Sequence, residues 1–222
     1  MKRPEDDSPV REDTVHRPGI ARICAFCDAV FAVAITLLVL NLEVPLLTSR
    51  EVNTELVFRL GKIWYSLISY VLSFLLIGIL WLMHHRLFRH IKRYNELFIL
   101  FNILFLMLVV LLPFSTDLFS DYRSSTLAFT IYSGNLAAVC VMLCCLWQYA
   151  LKNGRLLGDE SEPPGLAKAI WEVLVAAICF IIGIWVSYFS LAAARVLLWL
   201  PFLLMLGINL LGKNRSLLRL HE

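Results

Sequence analysis

Charge is what this 222-residue sequence has little of. Asp, Glu, Lys and Arg make up 17% of it, against about 25% in an ordinary soluble domain. Residues of the set AVILMFWYC make up 59%, where about 45–50% is usual. A water-soluble fold of that composition would run out of polar side chains before its surface was covered. Soluble enzyme classes are thereby excluded, and the chain reads as an integral membrane protein. The net charge of +3 is too small to mark a nucleic-acid binder.

Other absences narrow the field. The first 19 residues are polar, mixing Lys2, Arg3, Arg11 and Arg17 with Glu5, Asp6, Asp7, Glu12 and Asp13. No short apolar run there leads to a small-residue cleavage site, so no cleaved signal peptide is predicted. The six cysteines lie in apolar runs, where a thiol behaves as a small hydrophobe, and no disulfide framework is expected. No span carries the arginine ladder of a voltage sensor. No internal duplication is visible.

Six apolar stretches approach the length of about 20 residues that a bilayer demands. They run over residues 20–42, 60–83, 97–112, 127–151, 167–189 and 191–211. The third is short unless it continues past Pro113 to Phe119, and residues 187–190 must form a tight hairpin between the last two. Each span must satisfy its own backbone hydrogen bonds in hydrocarbon, so each is predicted helical. One six-helix domain over 20–212 follows, between a polar tail at 1–19 and a basic tail at 213–222.

Orientation follows from the basic residues. With the N-terminus inside, the inner segments hold Lys2, Arg3, Arg11, Arg17, Arg22, Arg86, Arg89, Lys92 and Arg93. They also hold Lys152, Arg155, Lys168, Lys213, Arg215 and Arg219, fifteen in all, against Arg50, Arg59, Lys62, Arg123 and Arg195 outside. That bias places both termini in the cytoplasm.

The first span carries the most information. Arg22 and Asp28 are costly in lipid, and each requires water or a protein partner. Val33, Thr36, Leu37 and Leu40 share one helical stripe, at i, i+3, i+4 and i+7, with Asp28 near the cytoplasmic end of that side. Branched apolar side chains with one hydroxyl and a carboxylate at the mouth suit the wall of a narrow pore. The same periodicity suits a helix-packing seam, and the pattern alone does not choose.

The pattern Arg22-x-x-x-Phe26-x-Asp28, followed by Val-Phe-Ala-Val-Ala-Ile-Thr-Leu-Leu-Val-Leu, resembles the signature helix of the transmembrane protein 175 family of potassium channels. Ser73-Phe74, Gly78, Trp81 and His84-His85-Arg86-Leu87-Phe88 are similar to that family's second helix. Leu111-Leu112-Pro113-Phe114-Ser115-Thr116 is similar to the end of its third. The resemblance implies an all-α membrane protein that assembles as a homotetramer, with helix 1 of each subunit lining a central pore. It implies a constriction of apolar side chains at Val33, Leu37 and Leu40, and a threonine ring at Thr36. It also implies a cytoplasmic-end network of Arg22, Phe26, Cys27, Asp28, His84 and His85. The family serine is Cys27 in this chain, a weaker hydrogen-bonding group than a hydroxyl, and the narrowest apolar position is occupied by Val33. A single repeat implies a prokaryotic plasma membrane.

The function expected on this basis is a potassium-selective or potassium-preferring leak channel with potassium as its permeant ion. It is not an enzyme and needs no cofactor or metal. Its partners are membrane lipid, potassium and its own copies, with no nucleic acid. The alternatives are a proton-permeable channel and a secondary cation transporter; the latter calls for inverted repeats around a midplane polar site, which the sequence lacks. Cys24-Ala-Phe-Cys27 sits on a membrane helix without a second ligand pair. Adjacent His84 and His85 point about 100° apart, which speaks against metal ligation and for hydrogen bonding at the interface. Thr130-Ile-Tyr-Ser-Gly134 lies inside a full span, so it is read as helix packing with Gly134 at a close contact, not as a carbonyl filter. Asp117 and Asp121 lie near the outer face. Trp64, Trp81, Trp147, Trp171 and Trp199 are assigned to interfacial belts, with Trp185 close to the outer boundary.

Overall fold

The computed structural model describes residues 17–42, 44, 47, 52–152, 156, 166–201 and 203. Among them all the regular secondary structure is helical: α1 (Arg17–Leu37), α2 (Val52–Phe88), α3 (Glu96–Val110), α4 (Leu112–Asp121), α5 (Thr126–Lys152) and α6 (Leu166–Ser187). An apolar α7 follows over Leu191–Pro201. A 3-10 turn, Leu38–Asn41, extends α1. Five stretches are long and apolar enough to cross a membrane: Gly19–Leu40, Ile63–Phe88, Glu96–Asp121, Thr126–Lys152 and Lys168–Ser187. α7 begins the expected sixth span, most of whose remainder lies outside the described residues, as do the basic tail at 213–222 and residues 1–16 of the polar tail. α1 already starts at Arg17, within the stretch read as tail.

The third span does run on past its proline. Pro113 has no N–H to donate, so the helix breaks between Val110 and Leu112 and restarts with proline in the first turn of α4. The hydroxyls of Ser115 and Thr116 both bond the carbonyl of Leu112, at 3.1 and 2.8 Å, so the two hydroxyl protons are satisfied within the helix in an apolar setting. At the start of α3, Asn95 caps by accepting from the Phe98 amide at 2.9 Å, and Glu96 in the first turn suits the helix dipole.

α2 has 37 residues, about 55 Å at 1.5 Å per residue, well beyond the ~30 Å of hydrocarbon. The excess lies at its N-terminal end, before the apolar stretch Ile63–Phe88, near where the Arg123 guanidinium sits over the Tyr65 ring at 4.2 Å. The expected hairpin between α6 and α7 is present. Its amides at Tyr188, Phe189 and Ser190 return to Trp185 and Val186.

α5 is the centre of the core, packed most extensively on α6 and then on α3 and α4. It buries Phe129, Tyr132, Leu136, Leu143, Leu146 and Trp147. Trp147 is therefore a core residue, 2% exposed, and not part of an interfacial belt. Thr130–Gly134 lies within unbroken α5, and the space where a Gly134 Cβ would stand is open. The expected close contact at Gly134 is absent. Gly183 of α6, by contrast, faces the Phe129 ring of α5. All six cysteines are free.

Candidate functional site: the flanks of helix 1

α1 is the least enclosed of the spans. Its buried residues are Cys27, Phe31, Ala34 and Leu38, a stripe with i+4, i+3 and i+4 steps that holds the helix to α2 and α3. The opposite flank is open in the single chain. Val33 is 53% exposed, Leu37 37% and Leu40 72%, with Phe26 at 56% in the turns before them. Thr36 lies between them, also exposed. The four residues read as pore lining thus share a surface that the described residues leave largely uncovered.

Thr36 has a defined chemistry on that flank. Its hydroxyl is 2.9 Å from the carbonyls of both Ala32 and Val33, so its proton is committed to its own helix. The lone pairs of the oxygen remain available to whatever occupies the open side.

The N-terminal half of α1 is anchored by two separate polar contacts. Asp28 is turned about 140° from Val33 by the helical repeat, toward α2, where its carboxylate accepts from the Trp81 indole at 2.8 Å. His85 stacks on the same indole at 5.5 Å and is itself exposed. One residue back, Cys27 is buried, and its sulfur accepts from the Asn102 amide at 3.2 Å. Asn102 Oδ1 lies 2.8 Å from His84 Nε2. Since the Asn102 amide donates to Cys27, its oxygen must accept, so His84 donates through Nε2. The His84 ring is packed parallel to Phe105 and close to Phe88, with Phe31 beside it.

The predicted network is therefore brought together only in part. Cys27 and His84 meet through Asn102, which sequence reading missed, and Asp28 meets Trp81 and not a histidine. Arg22 is exposed and makes no ion pair among the described residues, and Phe26 is exposed beside it. Asn102 did leave a signal: an amide amid a run of Leu, Ile and Phe must find partners inside the protein.

A second polar cluster lies farther out. Thr116 Oγ1 is 2.8 Å from Ser73 Oγ, which is 2.8 Å from the Tyr132 hydroxyl. The three are buried and join α2, α4 and α5. No group of three or more His, Cys, Asp or Glu suited to a metal occurs among the described residues.

Known proteins are similar to this chain in sequence and in fold. A potassium channel of Streptomyces collinus is 35% identical over 147 residues, covering 64% of this chain and 70% of the relative. This chain belongs to the TMEM175 family. The family model, described as the endosomal/lysosomal potassium channel TMEM175, matches residues 22–113, which take in most of α1, both polar contacts and the proline break. A potassium channel of Chamaesiphon minutus is 38% identical over 145 residues, with the same shares of each chain. The crystal structure of a lysosomal potassium-selective channel TMEM175 homolog from Chamaesiphon minutus superposes with a TM-score of 0.73 at 29% identity. That match covers 86% of this chain and 98% of the other. The rat endosomal/lysosomal proton channel TMEM175 is 37% identical over 97 residues, which is 41% of this chain but 19% of that protein. TMEM175 neighbours are thus ion channels, not enzymes.

Proposed function

We propose that this chain is a potassium-preferring cation leak channel of the plasma membrane, a homotetramer in which the open flank of α1 faces a shared axis. The observation that carries this is the exposed row of Val33, Thr36, Leu37 and Leu40 on a helix whose opposite stripe of Cys27, Phe31, Ala34 and Leu38 is buried. Membership of a family whose relatives are named potassium channels supports the ion.

Four copies of the row make a narrow tube ringed by branched apolar side chains. Such a constriction passes ions only when wetted and closes by dewetting. It offers few ligands, so an ion must shed part of its water to pass. Potassium holds its shell less tightly than sodium because it is larger, and the toll falls more heavily on sodium. Thr36 oxygens, with their protons turned to the backbone, supply weak partial ligation at one level. Arg22, Phe26, Cys27, Asp28, His84 and His85 hold or border the cytoplasmic end. Potassium is cargo in this scheme, and no cofactor takes part.

The test is a planar-bilayer recording of purified protein with potassium on one side and sodium on the other. The proposal expects unitary current steps and a reversal potential displaced toward that of potassium. Slow, saturable exchange without steps indicates a transporter and overturns it. A reversal potential that follows the pH gradient and ignores potassium assigns the current to protons.

A further inference from the structure

Beyond the pore, the end of α2 and the linker at 89–95 that joins it to α3 carry four basic residues in eight positions, Arg86, Arg89, Lys92 and Arg93, with His90 among them. All four basic residues are exposed. Among the described residues neither Arg89 nor Arg93 has a carboxylate partner. Burial of a hydrophobic base beneath them is extensive: Leu87, Phe88 and Ile91 are all at most 5% exposed. The cations thus stand on a fixed platform at the level where α2 leaves the membrane.

The linker bearing them is not a slack loop. The amides of Lys92 and Arg93 both bond the Leu156 carbonyl, at 2.8 and 3.2 Å, and Leu156 is buried. At its end, Asn95 donates to the Tyr149 hydroxyl at 2.7 Å. Next to these anchors Tyr94 presses on the first turns of α1, where a Cβ at residue 19 would collide with the Tyr94 phenol oxygen. The linker is thereby wedged between α5 and the start of helix 1.

We infer that this linker is a binding site for the phosphate headgroup of an anionic phospholipid of the inner leaflet, and that occupancy bears on helix 1 through Tyr94 against Gly19. Clustered Lys and Arg directly cytoplasmic of a membrane helix are the chemistry that anionic headgroups meet. Arginine in particular presents a planar fork suited to phosphate oxygens. A soluble phosphate offers the same oxygens but lacks the acyl chains that would hold it at this depth, and that favours the lipid.

Native mass spectrometry of the purified, intact protein tests binding independently of the channel reading, using phosphatidylglycerol against phosphatidylcholine. The wild type should retain phosphatidylglycerol, and Arg89→Gln with Arg93→Gln should weaken retention about five-fold per charge removed. Millimolar inorganic phosphate should displace little of it. Equal retention by wild type and the double variant overturns the site. Full displacement by phosphate overturns the lipid assignment. Retention that appears only after Asp159, Glu160 and Glu162 are neutralised overturns it too, since the cations would then be satisfied within the chain.

Coupling, which rests on the channel reading, is tested by potassium flux in phosphatidylcholine vesicles with and without added phosphatidylglycerol. Flux should respond to the lipid in wild type and lose that response in Tyr94→Ala, which keeps its bound lipid. A response that persists in Tyr94→Ala overturns the coupling while leaving the binding result intact.

Discussion

Asn102 on α3 donates its amide to the sulfur of Cys27 on α1 across 3.2 Å, and this one contact ties the buried edge of helix 1 to the buried imidazole of His84. A thiolate-sized neutral sulfur is a weak acceptor, so the link is made with a poor partner. Cys27→Ser offers a better acceptor at the same Cβ and should stabilise the fold by a few tenths of a kcal/mol, up to about 1. Asn102→Leu strips both Cys27 and His84 of their partner and should cost about 1–3 kcal/mol. Thermal unfolding of the detergent-purified protein, read by intrinsic fluorescence, checks both signs.

Asp28 carries a different expectation, because its carboxylate is exposed as well as bonded to Trp81. Asp28→Asn retains an oxygen for the indole while deleting the charge. If four such charges ring the cytoplasmic mouth, their loss lowers the local potassium concentration. Unitary inward and outward currents in about 0.1 M potassium should fall by a factor of about 2–5, and the deficit should shrink in about 1 M salt as screening shortens to ~3 Å. Trp81→Phe removes the hydrogen bond but keeps the charge, so its main effect should be on stability. A deficit of equal size at both salt concentrations would show that Asp28 acts by holding α2 and not by its field.

How far the sequence anticipates these sites depends on how local each one is. The open row on α1 is a property of one helix, so its 3.6-residue period is written in consecutive residues, and Val33, Leu37 and Leu40 emerge together. The break at Pro113 is local for the same reason, since a missing N–H cannot be repaired elsewhere. The contact of Asp28 with Trp81 depends on how α1 and α2 cross, and sequence reading paired Asp28 with the adjacent histidines instead. Trp147 reads as interfacial because an aromatic near a span end looks alike in sequence whether it faces lipid or the protein core, where it lies. The length of α2 beyond the membrane was hidden because Val52–Gly61 mixes polar and apolar residues without a terminating signal.

The cluster of Ser73, Thr116 and Tyr132 yields a prediction about additivity. Ser73 is the middle member, bonded to both others, whereas Thr116 keeps Leu112 as a second partner. Ser73→Ala orphans the buried Tyr132 hydroxyl and should cost about 1–3 kcal/mol. Tyr132→Phe leaves Ser73 and Thr116 paired and should cost less, near the ~0.6 kcal/mol typical of hydrogen bonds within membrane proteins. The double variant should be no less stable than Ser73→Ala alone, because the orphan is gone. Fully additive losses in a double-mutant cycle would show that the three hydroxyls do not act as a unit.

Thr36 is the sharpest test of the pore chemistry. With its proton held by Ala32 and Val33, the hydroxyl presents only oxygen to the open side. Thr36→Val keeps the volume and the branching, so the tube should retain its width. It loses the one level at which a dehydrating ion finds an oxygen ligand. Potassium and sodium both lose that ligand, yet the ion with the greater dehydration cost depends on it more. Thr36→Val should therefore lower absolute conductance for both ions while leaving the potassium preference intact or raised. Leu37→Asn does the reverse, since an amide ring wets the constriction and reduces the toll that separates the two ions. Its potassium-to-sodium permeability ratio, measured from bi-ionic reversal potentials, should fall toward one. If instead Thr36→Val abolishes selectivity and Leu37→Asn leaves it untouched, discrimination resides in the hydroxyl ring and the apolar rings serve only to gate.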